Sequence, residues 1–244
     1  RTSFALRRAF AARDWQEVIT FGFVSSETER AIDPDAVPIR VLNPIAAQHD
    51  VMRTSLLPGL IGTLASNASR REARVRVVEV GRVFRRGSEG IDQPLRVGGL
   101  AWGSALPEQW GAKPRAIDLF DVKGDLEAIA YPCDVTTAAA PHPALHPGRS
   151  AAVSIQGVRV GWLGELHPRL VRRFELASAP VAFELDLAAL IDAAVRALLV
   201  TPDMHRVHHS MVAAERNSNY GFCLSVWDRL FGSFKEEEEP CVYG

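Results

Sequence analysis

The stretch VRVVEVGRVF at residues 75–84 carries apolar side chains on both sides of an extended backbone: Val75, Val77 and Val83 face one way, Val78, Val80 and Phe84 the other. Two-sided apolarity of this kind indicates a central strand, because an edge or half-exposed strand would show polar residues on alternate positions. A polar segment, RRGSEGIDQ, then leads into LRVGGLAWG at residues 95–103. That second segment is predicted to return antiparallel to the first as a long hairpin.

Helices are predicted on either side of this pair. Leu57, Leu60, Ile61, Leu64, Ala65 and Ala68 recur at helical spacing, with Ser55 placed to cap and Pro58 tolerated in the first turn. Leu119, Val122, Leu126, Ile129 and Ala130 mark another stripe, which Pro132 ends and whose apolar side is expected on the sheet. The N-terminal segment RTSFALRRAFAARDW reads as an amphipathic helix. Residues 150–155 and 158–166 flank Gln156 and Gly157 as a hairpin, and PVAFELDL from Pro180 supplies one more strand. Hairpins with inserted helices give an α+β fold on a largely antiparallel sheet.

Composition narrows the function. The chain has 244 residues, with 28 Lys and Arg against 29 Asp and Glu, a net charge of -1. Nothing global therefore draws it to nucleic acid or acidic lipid. Cys133, Cys223 and Cys241 are too few and too scattered for a disulfide framework or a cysteine zinc site, which fits a reducing, cytoplasmic setting. The most apolar stretch, Val181 to Val200, is interrupted by Glu184, Asp186, Asp192 and Arg196, so no membrane association is expected. The start at Arg1 rather than Met leads us to expect an upstream part that is missing or was cut away.

Six blocks occur in order: WQEVITFGFVS, NPIAAQHDVMRTSLLPGLIGTLASNASRR, VRVVEVGRVF, FDVKGDLEAI, LHPGRSA and GWLGELHP. Together they closely resemble the catalytic-like core of the bacterial phenylalanyl-tRNA synthetase beta subunit, over residues 1–190. The resemblance implies a class II aminoacyl-tRNA synthetase-like antiparallel sheet with flanking helices. It also implies a non-catalytic role, scaffolding the alpha subunit of phenylalanine-tRNA ligase in an α2β2 enzyme that uses ATP and magnesium. Contact with tRNA would come only through the assembled enzyme. The tRNA-binding, editing, magnesium-binding and anticodon-binding modules of full beta subunits are not recognisable in this chain.

The residues themselves give the same answer on catalysis. Activating an amino acid with ATP requires cations aimed at phosphates, and Arg82 and Arg85 are the best placed, although solvated strand-end arginines are the preferred reading. Gly161, Gly164 and Arg169 in GWLGELHPRL lack the dense glycine spacing of a class II motif. No catalytic residue and no cofactor are therefore assigned to this chain alone. Lys123 and Glu127, around Asp125, read as a surface helix pair. His146, Pro147, Gly148 and Arg149 could bind an anion through Arg149, yet Pro-Gly is read as a turn. His49 and His142 stand alone. Following the resemblance, part of the alpha-subunit interface is placed at Leu57, Leu60, Asn67, Arg70 and Arg71, with plain core packing as the alternative.

Residues 191–244 differ in character. LLVTPDMHRVHHS and NSNYGFCLSVWDRLFGSF resemble the C-terminal end of the fatty acid hydroxylase and sterol desaturase superfamily, membrane enzymes whose histidine boxes hold two irons. His205, His208 and His209 match the last box, and their i, i+3, i+4 spacing would turn three imidazoles to one side of a helix. A di-iron site of this kind needs about eight histidines, and His49, His142, His146 and His167 form no second box. Iron and lipid oxidation thus belong only to the alternative reading, in which the fragment is inactive alone. The boundary is placed at Leu190, without a flexible linker, as in a fusion or an assembly artefact.

Overall fold

The computed structural model describes residues 2–88, 90–111 and 113–191. The chain divides into two units, Arg1–Leu190 and Ile191–Gly244; Ile191 apart, the described residues all fall in the first. In chain order its elements are α1 (Thr2–Ala11), β1 (Gln16–Glu17), β2 (Phe23–Val24), α2 (Ser26–Ile32), β3 (Val51–Met52), α3 (Leu57–Ser69), β4 (Arg74–Arg82), β5 (Arg85–Arg86), β6 (Ile91–Asp92), β7 (Leu95–Gly103), α4 (Leu119–Ala130), β8 (Val135–Ala139), β9 (Leu145–Ile155), β10 (Val158–Leu166), α5 (Pro168–Arg173) and β11 (Val181–Asp186). A 3-10 turn covers Ala47–His49.

Seven strands form one sheet in the order β1-β4-β7-β11-β10-β9-β8. The two-sided strand β4 does sit inside it, paired with β7 without a break from Arg74↔Gly103 to Arg82↔Leu95. Every pairing is antiparallel except the short edge contact of β1 with β4, so the sheet is mixed rather than purely antiparallel. The connection expected to be a plain polar loop carries its own ribbon, with Arg85 opposite Asp92 and Arg86 opposite Ile91. Val83 and Phe84 lie beyond the strand, where their amides donate to Pro94 O at 3.1 Å and Arg53 O at 2.9 Å.

Helices cover both faces. On one side α3 buries Leu57, Leu60, Ile61 and Leu64, with Leu56 before it, against Val75, Val77, Leu100 and Ala182. Each such side chain contributes about 1.5–3 kcal/mol of transfer free energy. Ser55 still helps start this helix, accepting from Leu57 N at 3.1 Å, although Leu56 occupies the cap position. On the other side α1 lies against β4, and α4 against β8 and β10. Asp118 and Asp121 close a capping box at the start of α4, a signal the apolar stripe alone did not reveal.

Two turn expectations part company. Gln156 and Gly157 adopt φ of 51° and 77°, the left-handed pair that a two-residue hairpin turn requires. His146 to Arg149, read as a turn around Pro-Gly, instead lie within β9. Register jumps there from Gly164↔Ser150 to Leu166↔Leu145, so these residues form an extended, irregular bulge opposite Glu165. Pairing of both flanks with β10 overrides the local turn preference.

Gly99 faces an aromatic cluster in which Phe10, Trp15 and Phe183 rings lie 5.5–5.9 Å apart. A Cβ at Gly99 would come within 2.3 Å of Phe183 and 2.9 Å of Trp15. Gly99→Ala is expected to destabilise the domain by about 1–3 kcal/mol through overpacking, read as a lower urea midpoint at unchanged slope.

Candidate functional site

The face of the sheet that carries α3 has a polar floor. Across β4, β7, β11 and β10, Glu79, Gly98, Glu184 and Trp162 stand in register. Residues paired in this way share one face. Glu79 accepts from Arg53 Nη1 at 2.8 Å and from the Thr20 hydroxyl at 2.7 Å. Glu184 accepts through Oε2 from the Ser55 hydroxyl at 2.6 Å and from Leu56 N at 2.8 Å. Gly98 lets the chain entering α3 approach, since a Cβ there would meet Leu56 at 3.1 Å.

A third carboxylate joins from α2. Glu29 accepts from Thr54 N at 3.0 Å and from the Thr54 hydroxyl at 2.6 Å. The four residues Arg53 to Leu56 thus engage Glu79, Glu29 and Glu184, all three buried. Burial raises the pKa of Glu29 and of Glu184 above the ordinary value of 4.5, against the opposing pull of their hydrogen bonds.

The opposite face has one comparable centre. Asp125 accepts from Arg13 Nε at 2.7 Å, from Trp15 Nε1 at 3.0 Å and from Arg76, whose guanidinium lies 4.9 Å from the Trp15 ring centroid. Burial lowers the Arg76 pKa and the Asp125 charge opposes that shift.

The residues singled out from sequence scatter over the unit. Arg82 donates to Gln93 O at 2.9 Å and holds the end of the β4–β7 connection. Arg169 donates to the carbonyls of Ala31, Ile32 and Pro143, the latter two at 3.1 and 2.7 Å, and so closes the C-terminal end of α2. Gly161 and Gly164 serve close strand approach, since a Cβ would fall 2.0 Å from Glu184 O and 2.6 Å from Arg149 O. Arg149 pairs with Glu165 at 2.7 Å, and Lys123 pairs with Glu127 along α4 as expected. Asp125, between them in sequence, points instead into the buried network.

Among the histidines, His146 Nδ1 accepts from Gly148 N at 3.0 Å, and His49 Nδ1 lies 3.0 Å from Phe23 O. His142 packs against Trp162 with the rings tilted by 34° and centroids 4.5 Å apart, and burial brings its pKa down to about 4. Among the described residues no group of His, Cys, Asp or Glu is placed to hold a metal ion, and no helix is long and apolar enough to cross a membrane. His205, His208 and His209 lie outside the described residues.

A groove of about 520 Å³ runs along the outer side of α3. Its helix wall is made of Gly59, Gly62, Thr63, Ser66 and Asn67, and its other wall includes Ile19, Phe21 and Phe23. Ile19 is 91% and Phe21 73% exposed. Of the five residues expected at an interface, Asn67 lines this groove, Arg70 and Arg71 are exposed beyond it, and Leu57 and Leu60 are buried in the unit's own core. The small outward residues between the core leucines were the signal that the apolar stripe overshadowed.

A mixed seven-stranded sheet with helices on both faces and a buried polar floor beneath α3 makes the described unit an α+β domain. The family described as "Phenylalanyl tRNA synthetase beta chain CLM domain" matches residues 1–187, and the chain belongs to that family. Relatives called phenylalanine–tRNA ligase beta subunit share this region. That of Burkholderia pseudomallei is 50% identical over 206 residues, covering 81% of this chain and 25% of the relative. That of Thiobacillus denitrificans is 53% identical over 183 residues, covering 75% of this chain and 23% of the relative. The chain therefore spans about a quarter of the length of these relatives. The hydroxylase resemblance is not supported: the family match ends at residue 187, and residues 198–234, which carried it, lie outside the described ones.

Two measurements test the electrostatics. Arg53→Met leaves Glu79 buried without its cation and is expected to cost about 3–5 kcal/mol, with part recovered in the Arg53→Met, Glu79→Gln double variant. For His142, the unfolded imidazole with its pKa of 6.5 takes up a proton before the folded one at about 4, so its contribution is lost as pH falls between these values. His142→Phe keeps the ring contact with Trp162, and its stability relative to the parent is expected to rise by about 2 kcal/mol across that window as pH falls, after allowing for partial exposure.

Proposed function

We propose that this chain is the non-catalytic core of a phenylalanine-tRNA ligase beta subunit, with a class II synthetase-like sheet, scaffolding the alpha subunit for ATP-dependent attachment of phenylalanine to tRNA in the cytoplasm. What supports the reading is the family match over residues 1–187 together with the groove beside α3. A helix wall of Gly62 and Ser66 admits close backbone approach, Gly59 being taken up by the Thr20 side chain, while Ile19 and Phe21 offer apolar surface that the described residues leave uncovered. Such a surface fits a partner helix or hairpin. ATP, magnesium and tRNA would be handled by the assembled enzyme.

Gly62 gives a clean probe, because it is exposed and a Cβ there meets nothing within 4 Å. Replacing an exposed helical glycine also tends to stabilise the helix, by up to about 1 kcal/mol. The chain co-expressed with the alpha subunit is expected to co-elute with it in size-exclusion chromatography, and Gly62→Arg is expected to elute alone with an undiminished melting temperature. Failure of the parent chain to co-elute overturns the scaffold reading; undisturbed co-elution of Gly62→Arg moves the docking surface away from α3.

A further inference from the structure

The seven-stranded sheet ends differently at its two edges. At one, β1 is two residues long, lies beside α1 and carries Glu17 in an ion pair with Arg7 at 2.7 Å. A short, charged or covered edge is the usual way in which a sheet avoids pairing with another chain. At the other edge, β8 is neither short nor charged. Its five residues, Val135–Ala139, include no charged side chain and no proline, and they pair with β9 from Val135↔Ile155 to Ala139↔Ala151 without a bulge. No other described strand is hydrogen-bonded to its outer side.

The free side of β8 follows from the alternation of an antiparallel ladder. Gln156 N donates to Asp134 O at 3.0 Å and Ala140 N donates to Ser150 O at 3.2 Å, so the ladder to β9 uses Asp134, Thr136, Ala138 and Ala140. Val135, Thr137 and Ala139 therefore turn their N–H and C=O groups outward, and none of these groups has a partner among the described residues. We propose that β8 pairs with β8 of a second copy of this chain, antiparallel and centred on Thr137, joining two sheets edge to edge. The strand complements itself in that register. Thr137 lies opposite its own counterpart, Val135 opposite Ala139 and Thr136 opposite Ala138, so one two-fold axis gives every outward donor an acceptor. Asp134 falls opposite Ala140, and no charged side chain faces another of its own sign. Pairing through one short strand buries less than the roughly 1,200 Å² of a stable interface, so the association is weak and reversible.

Sedimentation equilibrium of the full chain, without an alpha subunit, is expected to show reversible dimers at about 0.1–1 mM. Amide hydrogen exchange at Val135, Thr137 and Ala139 is expected to slow as concentration rises, while Thr136 and Ala138, already bonded to β9, stay unchanged. Thr137→Pro removes an outward N–H and no bond to β9, and is expected to weaken association by about tenfold or more in a chain that circular dichroism shows to be folded. Ala138→Lys, at an exposed position, places a charge on the edge and is expected to act in the same way, which keeps the test decisive if the proline variant unfolds. Gly62→Arg, in the groove beside α3, is expected to leave the dimer intact. Self-association lost in Gly62→Arg and kept in Thr137→Pro assigns it to the groove and overturns the proposal. A chain that stays monomeric up to about 1 mM, or exchange at Val135, Thr137 and Ala139 that does not vary with concentration, overturns it equally.

Discussion

The first unit is organised by the run Arg53–Thr54–Ser55–Leu56, in which each successive residue meets a buried carboxylate. Arg53 holds Glu79 of β4, Thr54 holds Glu29 of α2, and Ser55 with the Leu56 amide holds Glu184 of β11. None of these acids could be buried at neutral pH without such partners. Because they come from different elements, the run fixes the start of α3 over the centre of the sheet, where Gly98 leaves room for it. The amides at the start of a helix suit an anion, which is why Glu184 can stand there.

This arrangement gives the fold two opposed responses to pH. Glu29 and Glu184 keep their protons in the folded chain above 4.5, where the unfolded chain has released them. Their contribution to stability is therefore largest on the acid side and declines as pH rises through the raised values. His142 acts in reverse, losing its contribution as pH falls from 6.5 toward about 4. In mild acid the slopes oppose each other, and neither residue alone sets the profile. The far face differs: Asp125 lies between the cations Arg13 and Arg76, which compensate its charge without a helix end.

How much of this could be read in advance depends on the range of the determining contact. Helix α3, the β4–β7 pair and the Gln156–Gly157 turn follow from periodicity and backbone preference, and all appear where expected. The His146–Arg149 bulge does not, because it is set by the pairing of its flanks with β10 rather than by Pro-Gly itself. The buried acids were passed over for a similar reason. Glu79 shares the parity of Val75 and Val77, and Glu184 that of Ala182, so their positions already pointed inward. An acidic residue nonetheless reads as exposed until its partners are known, and Arg53 and Ser55 lie 26 and 129 residues away in the chain. Six ordered blocks carried the family resemblance because each combines several constraints of this fold, whereas the three-histidine spacing fits any solvated helix turn.

The same run also lies between two of the unit's openings. Thr20, on the groove side, bonds to Glu79 and to Arg53; Thr54, Ser55 and Glu184 line a separate cleft. A partner laid along the outer side of α3 would meet Gly62 and Ser66, about one and a half to two and a half turns past the helix start, while the buried leucines on the opposite side of that helix hold it to the sheet. Shifting the helix start would unpair buried carboxylates, at about 1–3 kcal/mol or more for each lost bond. Docking on this surface would thus be accommodated by the partner and the exposed walls at Ile19 and Phe21, while the hydrogen-bonded floor beneath α3 would keep its geometry.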